Sequence, residues 1–181
     1  MISMKIFVVD NHSKDIEELK RLIGNFDFSI CTKEDFIPEK TNGFDLIIFS
    51  GGSGVHSVKN HSDEYKIEID FIKNTNKKII GICLGCQVVA VALGCTLKEM
   101  PDKEKGIVKI KYKDNELNVY DSHRFSIAKV SSDVEVLATS IDGIEMIRHK
   151  TKSIFGMQFH PEVRLGDNDG VKIFLEILNN I

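Results

Sequence analysis

The chain has 181 residues, of which 42% are hydrophobic and 28% are charged, and its formal net charge is -3. This length and composition are those of one globular domain with a buried core, so we expect a single domain over residues 1–181. Acidic and basic residues are interspersed and the net charge is small. The sequence therefore disfavours partners that are recognised by a basic surface, namely nucleic acids and membranes.

The N-terminus and the cysteines bear on the cellular compartment. Residues 1–5 do not form a charged leader ahead of an apolar stretch, and no apolar run is long enough to span a membrane, which predicts a cytoplasmic protein. The cysteines are too few for a disulfide-rich scaffold: Cys31, Cys83, Cys86 and Cys95. We therefore expect reduced thiols and consider a catalytic or metal-binding role for them.

The first half of the chain alternates between strand and helix patterns. Three apolar runs are typical of parallel strands covered on both faces: residues 5–9, 45–49 and 78–82. Between them we expect two helices, one capped by Ser13 and ending at Gly24, the other capped by Ser62. This alternation predicts an α/β fold with a flavodoxin-like, doubly wound and mostly parallel sheet.

The second half of the chain has a different pattern. Val108, Ile110 and Tyr112 alternate with lysines, which indicates half-exposed strands and predicts an antiparallel extension of the sheet. We expect a further strand over residues 153–159 and a closing helix built around residues 171–178. A third helix, at residues 88–93, is apolar all round and should lie at the centre of the protein.

Cys83 lies between Gly81 and Gly85, directly after the third apolar run and directly before the central helix. A strand, a tight turn and a helix around this cysteine form the sulfur version of the Gly-x-Ser-x-Gly nucleophile elbow. Such a turn exposes the sulfur, and the N-terminus of the following helix stabilises its thiolate. The alternative is a structural cysteine that is flanked by glycines by chance.

A nucleophilic cysteine needs a base, and the base needs a group that orients it. Pro161 disfavours the α region for the residue before it, so His160 should be extended at the end of a strand. Glu162 can then reach the imidazole nitrogen that does not face the sulfur. The tripeptide alone is weak evidence, and its weight comes from its occurrence together with the elbow.

Attack of a thiolate on a carbonyl creates an oxyanion, which needs two donors that are usually backbone N–H groups. One should be the N–H of Leu84, the residue after the nucleophile. We expect the other from the glycine-rich loop at residues 50–54, which follows a strand at the edge where parallel sheets bind ligands. A phosphate-binding role is disfavoured because this loop has neither the ending of a P-loop nor dinucleotide-type glycine spacing.

Together these segments resemble the class I glutamine amidotransferases, whose glutaminase domains carry a Gly-x-Cys-x-Gly-x-Gln elbow, a glycine-rich oxyanion loop and a His-Pro-Glu ending. The resemblance extends over essentially the whole chain, from residues 9–11 to residues 156–162. It implies that Cys83 attacks the side-chain amide of L-glutamine, that His160 is the general base and acid, and that Glu162 orients His160.

The same resemblance implies the rest of the site. Gly52 and Leu84 supply the oxyanion donors, and Gln87 helps to hold the amino-acid end of glutamine. The segment at residues 122–125 falls where the family lines its glutamine pocket: Ser122, His123, Arg124 and Phe125. For His123 a merely structural role is an equal alternative. The resemblance implies no metal and no cofactor.

The implied products are glutamate and ammonia, and the ammonia passes to a synthase on a separate polypeptide. Residues 145–150 and 160–163 most resemble the branch of the family that serves GMP synthase, with the branches that serve anthranilate and aminodeoxychorismate synthase close behind. The alternatives are a γ-glutamyl hydrolase that acts without a synthase and a catalytically silent regulatory module.

Two positions depart from the family pattern. Ser53 stands where proline usually follows the oxyanion glycine, which predicts a less rigid loop and a basal activity that depends on a partner. Cys86 stands where histidine or another large residue is common, and it completes a Cys-x-x-Cys with Cys83. A redox pair or a zinc site is nevertheless disfavoured, because no thioredoxin-like pattern and no second pair of ligands accompany it.

Overall fold

The computed structural model describes residues 4–53 and 57–181, which fold around one nine-stranded sheet. The strands are β1 (Lys5–Asn11), β2 (Asp27–Thr32), β3 (Leu46–Gly52), β4 (Lys78–Ile82), β5 (Thr96–Tyr112), β6 (Asn115–Lys129), β7 (Val134–Thr139), β8 (Ile144–His149) and β9 (Ile154–Met157). The α-helices are α1 (Ile16–Leu22), α2 (Lys66–Asn74), α3 (Leu84–Ala92) and α4 (Gly170–Asn180). Gly54, at the end of the predicted oxyanion loop, lies outside the described residues.

The order of the sheet is β2-β1-β3-β4-β9-β8-β6-β5-β7. The five strands from β2 to β9 pair in parallel, and β8 joins antiparallel to β9. The remaining pairings are antiparallel, and the contact of β7 with β8 closes the four extension strands on one another. The predicted doubly wound sheet with an antiparallel extension is confirmed.

The parallel strands are apolar throughout because helices cover both faces of the sheet. Successive side chains point to opposite faces. Phe7 and Phe49 lie in the core on the side of α2 and α3, whereas Ile6 and Ile48 lie in the core on the side of α1 and α4. Each such side chain stabilises the fold by about 1.5–3 kcal/mol through its burial.

Two helices begin later than the serines that were expected to cap them. The N-cap residue of α1 is Asp15, and the Ser13 hydroxyl instead accepts a hydrogen bond from the Asp15 N–H at 3.2 Å. The helix α2 begins at Lys66, because Ser62 is the first residue of a 3₁₀ turn, Ser62–Tyr65, that precedes it. In both cases a local turn occupies the serine before the helix begins, so both capping predictions are wrong.

The helix α3 is central, as its apolar sequence predicts, and eight of its nine residues are buried. It ends at Ala92, just before Gly94 with its positive φ of 80°. No helix within the described ranges combines the length and apolarity that crossing a membrane requires.

Candidate active site

Cys83 occupies the turn between β4 and α3. Its backbone angles, φ 49° and ψ -103°, lie where a residue with a side chain rarely occurs. The Cys83 N–H donates to the Met157 carbonyl at 2.7 Å, and the Cys83 carbonyl accepts from the Gln87 N–H at 3.1 Å. The neighbouring strand β9 and the first turn of α3 therefore hold the strained residue in place, with its sulfur at the N-terminus of α3.

Gly81 and Gly85 allow the backbone segments of the elbow to approach each other. A Cβ atom on Gly85 would lie 2.1 Å from the Phe49 carbonyl oxygen, and one on Gly81 would lie 2.4 Å from the Gly85 carbonyl oxygen. Both obstacles are backbone atoms, which cannot rotate away as a side chain can. The elbow can therefore form only with glycine at these two positions.

His160 and Glu162 follow β9, the strand that pairs with β4. The His160 Nδ1 lies 2.8 Å from the Glu162 Oε1, and both side chains are buried. Burial alone would lower the pKa of His160, but the Cys83 side chain and Glu162 outweigh it and raise this pKa well above its usual value. The surroundings of His160 thus favour a charged imidazolium beside Cys83.

Gly52, at the end of β3, lies next to the first residue of α3. A Cβ atom on Gly52 would be 2.5 Å from the Leu84 Cδ1 and 3.1 Å from the Asn11 carbonyl oxygen. A Cβ atom on Gly51 would be 3.0 Å from the His160 Cε1. The glycine-rich loop therefore approaches the elbow and the imidazole more closely than side chains would permit.

Buried polar side chains hold this loop from behind. The Ser50 hydroxyl accepts a hydrogen bond from the Asn11 N–H at 2.9 Å. The Asn11 side-chain amide in turn donates to the Glu68 Oε2 at 3.3 Å. Burial raises the pKa of Glu68 to about 7, although the bond from Asn11 lowers it. Glu68, in α2, is thereby connected to the end of β3.

A cavity of about 440 Å³ opens over Cys83. Every predicted site residue except Glu162 lines it: Gly52, Cys83, Leu84, Gln87, Ser122, His123, Arg124, Phe125 and His160. Glu162 instead contacts His160 from the buried side. Lys14, Asp15 and Lys103 also line the cavity. Sequence reasoning missed these three, because they belong to no recognisable motif.

Gln87 connects α3 to the cavity wall on β6. Its Nε2 donates to the Phe125 carbonyl at 2.9 Å and lies 3.5 Å from the Gln158 Oε1. The Gln158 Nε2 in turn lies 3.8 Å from the Cys83 Sγ. On the opposite side, the Cys83 Sγ is 3.9 Å from the Ser122 carbonyl oxygen. Sequence reasoning did not single out Gln158, although it precedes the His-Pro-Glu ending by one residue.

His123 lines the cavity and also borders a cluster of buried acids, so its predicted place in the wall and a structural role are compatible. Its Nε2 lies 3.6 Å from the Asp121 Oδ1 and 3.7 Å from the Glu104 Oε2. Burial lowers the pKa of His123, but Asp121 more than offsets this and raises it. Burial also raises the pKa of Glu104 to about 7 and that of Glu145 to about 8.

The fold and the cavity define an α/β protein with a cysteine at a nucleophile elbow. Residues 7–180 match the family model "Glutamine amidotransferase class-I", and the chain therefore belongs to the class I glutamine amidotransferases.

Similar proteins include two archaeal chains whose names make them subunits of a glutamine-hydrolysing GMP synthase. The one from Saccharolobus solfataricus is 33% identical over 150 residues, which cover 77% of this chain and 78% of that protein. The one from Sulfolobus acidocaldarius is 30% identical over 156 residues, which cover 81% of each chain. The crystal structure of a candidate GMP synthase subunit from Thermoplasma acidophilum matches with a TM-score of 0.87 and 26% identity, over 99% of this chain and 94% of that one.

Proposed function

We propose that this chain is the glutaminase subunit of a two-chain GMP synthase, and that it uses Cys83, His160 and Glu162 to hydrolyse L-glutamine and supply ammonia to a separate synthase subunit. The observation that carries the assignment of residues is the position of Cys83. It is held in a strained turn beneath the cavity, beside an imidazole whose pKa is raised. The relatives named as GMP synthase subunits support the choice of synthase.

The proposed reaction begins when the Cys83 thiolate attacks the γ-carbonyl carbon of glutamine. The oxyanion that forms accepts hydrogen bonds from the N–H groups of Gly52 and Leu84. The imidazolium of His160 gives its proton to the leaving nitrogen, and ammonia departs as the thioester forms. Glu162 holds the imidazole in the orientation that this transfer needs.

The second half of the reaction consumes one water molecule. Neutral His160 takes a proton from the water as the water attacks the thioester carbonyl carbon, and the same two N–H groups stabilise the second oxyanion. Collapse of this intermediate releases glutamate and restores the Cys83 thiolate. We assign the amino-acid end of the substrate to Gln87 and to the wall at residues 122–125, which the Gln87–Phe125 hydrogen bond connects.

We further propose that the free chain has low activity and that binding of the synthase raises it. Ser53, the residue without the usual proline, is exposed and lines the cavity beside Gly52. A partner that contacts this loop would thereby act on an oxyanion donor. Full glutaminase activity of the chain alone would contradict this part of the proposal. The single domain over residues 1–181 and the cytoplasmic location stay predictions.

The test measures ammonia release from glutamine, and GMP formation with glutamine as nitrogen donor, with the chain alone and with the synthetase subunit of a GMP synthase. Cys83→Ala should abolish glutamine-dependent GMP formation and leave formation from added ammonia intact. Cys86→Ala, in the same Cys-x-x-Cys, is the matched control and should retain activity, since Cys86 does not line the cavity.

The alternatives predict different results. A γ-glutamyl hydrolase would turn over γ-glutamyl amines rapidly without a partner. A silent module would leave Cys83 unlabelled by a glutamine-like diazoketone even with the partner present. A glutaminase for anthranilate or aminodeoxychorismate synthase would respond to those synthases and not to the partner from GMP synthase.

A further inference from the structure

A second group of polar side chains lies inside the antiparallel extension. It consists of Glu104 on β5, Asp121 and His123 on β6, and Glu145 on β8, and we call it the acid–histidine cluster. Each residue offers one ligand atom, and these atoms all lie within 4.8 Å of one another. Asp121 is 0% exposed, Glu145 1% and His123 4%.

Most of the polar atoms in this cluster have no hydrogen-bond partner among the described residues. These atoms are both carboxylate oxygens of Asp121, both ring nitrogens of His123, the Glu104 Oε2 and the Glu145 Oε2. The other oxygen of Glu145 accepts a hydrogen bond from the Ser140 hydroxyl at 2.7 Å. Buried polar groups in native proteins almost always have partners, so six unpartnered atoms that converge on one point indicate a ligand.

The distances between these atoms match metal coordination better than hydrogen bonding. The His123 Nε2 lies 3.6 Å from the Asp121 Oδ1 and 3.7 Å from the Glu104 Oε2, which exceeds the range for N–H···O bonds. An ion with tetrahedral bonds of about 2.0–2.2 Å separates its donor atoms by about 3.3–3.6 Å. The atoms of the cluster therefore need only small shifts to coordinate one ion.

We propose that Glu104, Asp121, His123 and Glu145 form a binding site for one divalent transition-metal ion such as Zn²⁺ or Mn²⁺. Three carboxylates and one imidazole are a donor set that suits these ions and disfavours soft ones such as Cu⁺. The ion compensates acidic groups that are buried together. This site goes beyond the proposed function, which needs no metal, and it revises the expectation from sequence that the chain binds none.

An irregularity in the sheet places Glu104 in the cluster. Along β5, Glu99 pairs with Phe125 and Glu104 pairs with His123, so β5 uses three more residues than β6 over this stretch. Such a bulge redirects a side chain in an otherwise regular hairpin. Because His123 also lines the cavity, an ion bound behind it would fix the orientation of the imidazole in the pocket wall.

The first experiment measures binding of Zn²⁺ and of Mn²⁺ by the metal-stripped full chain, using calorimetry and equilibrium dialysis. The parent carries Cys83→Ala, so that a thiolate in the active site does not contribute. We expect one equivalent of bound ion. The nearly isosteric substitutions Asp121→Asn and Glu145→Gln should each weaken binding at least 10-fold. Glu162→Gln is the matched control, because it alters the other buried histidine–carboxylate pair and should leave the affinity unchanged.

A second measurement does not depend on the variants folding. X-ray absorption of the Zn²⁺-loaded wild-type chain should show a shell of nitrogen and oxygen with one imidazole and no sulfur, and added Zn²⁺ should raise the Tm of the wild-type chain. Three results would overturn the proposal: no saturable binding, binding that persists in Asp121→Asn and Glu145→Gln, or sulfur in the shell. In each case the cluster would instead be a set of protonated carboxyl groups. No result depends on glutaminase activity, so failure here is distinct from failure of the proposed function.

Discussion

The sulfur of Cys86 lies 2.8 Å from the position that a Cβ atom on Gly156 would occupy. The helix α3 crosses β9 at this point, and the Ile147 side chain closes the same space from 3.1 Å. Cys86 is fully buried, and burial raises the pKa of its thiol well above the usual value. The close contact gives a packing reason for a small residue where large ones are common in the family. The raised pKa disfavours thiolate chemistry at Cys86, hence also a redox pair with Cys83.

This contact predicts a compensating pair of substitutions. Gly156→Ala should destabilise the fold by about 1–3 kcal/mol, because it adds a methyl group where there is no space. Cys86→Ala should cost about 1 kcal/mol through the lost sulfur contacts. The double variant should recover part of the loss, since the removed sulfur makes room for the new methyl group. Urea denaturation of the four proteins measures this coupling, and strictly additive losses would contradict the packing explanation.

The elbow predicts that Gly85→Ala is far more harmful than an alanine at another unusual glycine. The new Cβ would lie 2.1 Å from the Phe49 carbonyl oxygen, so β3 and α3 must separate. We expect a loss of more than about 3 kcal/mol in the free energy of unfolding. Gly43→Ala is the control, because Gly43 has a φ of 83° but no atom within 4 Å of a new Cβ. It should cost only about 1–2 kcal/mol of backbone strain. Equal losses would mean that strain, and not collision, dominates at Gly85.

Glu162→Gln should shift the pH dependence of glutamine hydrolysis. The substitution removes a negative charge 2.8 Å from the His160 Nδ1 but keeps an oxygen that can accept its hydrogen bond. The raised pKa of His160 should therefore fall, and the imidazolium should be lost at lower pH. We expect the alkaline limb of kcat/KM to move to lower pH and kcat to fall by on the order of 10².

Asp15→Asn gives the comparison for this experiment, because the Asp15 carboxylate lies farther away, at 4.0 Å from the same nitrogen. Its effect on the alkaline limb should be smaller than that of Glu162→Gln. An alkaline limb that does not move in Glu162→Gln would show that Glu162 does not set the protonation of His160.

Glu68→Gln should flatten the dependence of stability on pH. The pKa of Glu68 is raised by burial from 4.5 to about 7. Between these values the folded chain keeps a proton that the unfolded chain releases. The stabilisation is therefore complete below about pH 4.5 and is lost as the pH rises through about 7. Glutamine stays neutral, so the variant should exceed the wild type at pH 8 by about 1–3 kcal/mol.

Chemical denaturation at several pH values measures this difference. Glu39→Gln, at an exposed carboxyl, controls for the substitution itself. A stability profile of Glu68→Gln that runs parallel to that of the wild type would show that Glu68 is already ionised in the fold.

Sequence patterns predicted the part of the fold in which burial is simplest. The strands β1, β3 and β4 are covered on both faces and read as apolar runs, and Cys83 and His160 lie where such strands end. The strand β2 was not predicted, because it is a largely exposed edge strand without an apolar run. The strands β7 and β8 were also missed, and β8 includes the buried acid Glu145, which interrupts its apolar pattern.

The acid–histidine cluster could not have been predicted from local patterns. Its residues come from three strands, and Glu104 enters it only through the bulge in β5. In the polar segment before Val108 nothing distinguishes this glutamate from its exposed neighbours. The contact between Cys86 and Gly156 is equally non-local, because it depends on where α3 crosses β9.

The hydrogen bond from the Cys83 N–H to the Met157 carbonyl places the nucleophile within the pairing of β4 and β9. His160 follows Met157 by three residues, so an opening that exposes the Cys83 amide to solvent also separates the sulfur from the imidazole. Hydrogen–deuterium exchange at this single amide therefore reports how often the two groups come apart. Slow exchange there would mean that the assembled site persists as long as the centre of the sheet does.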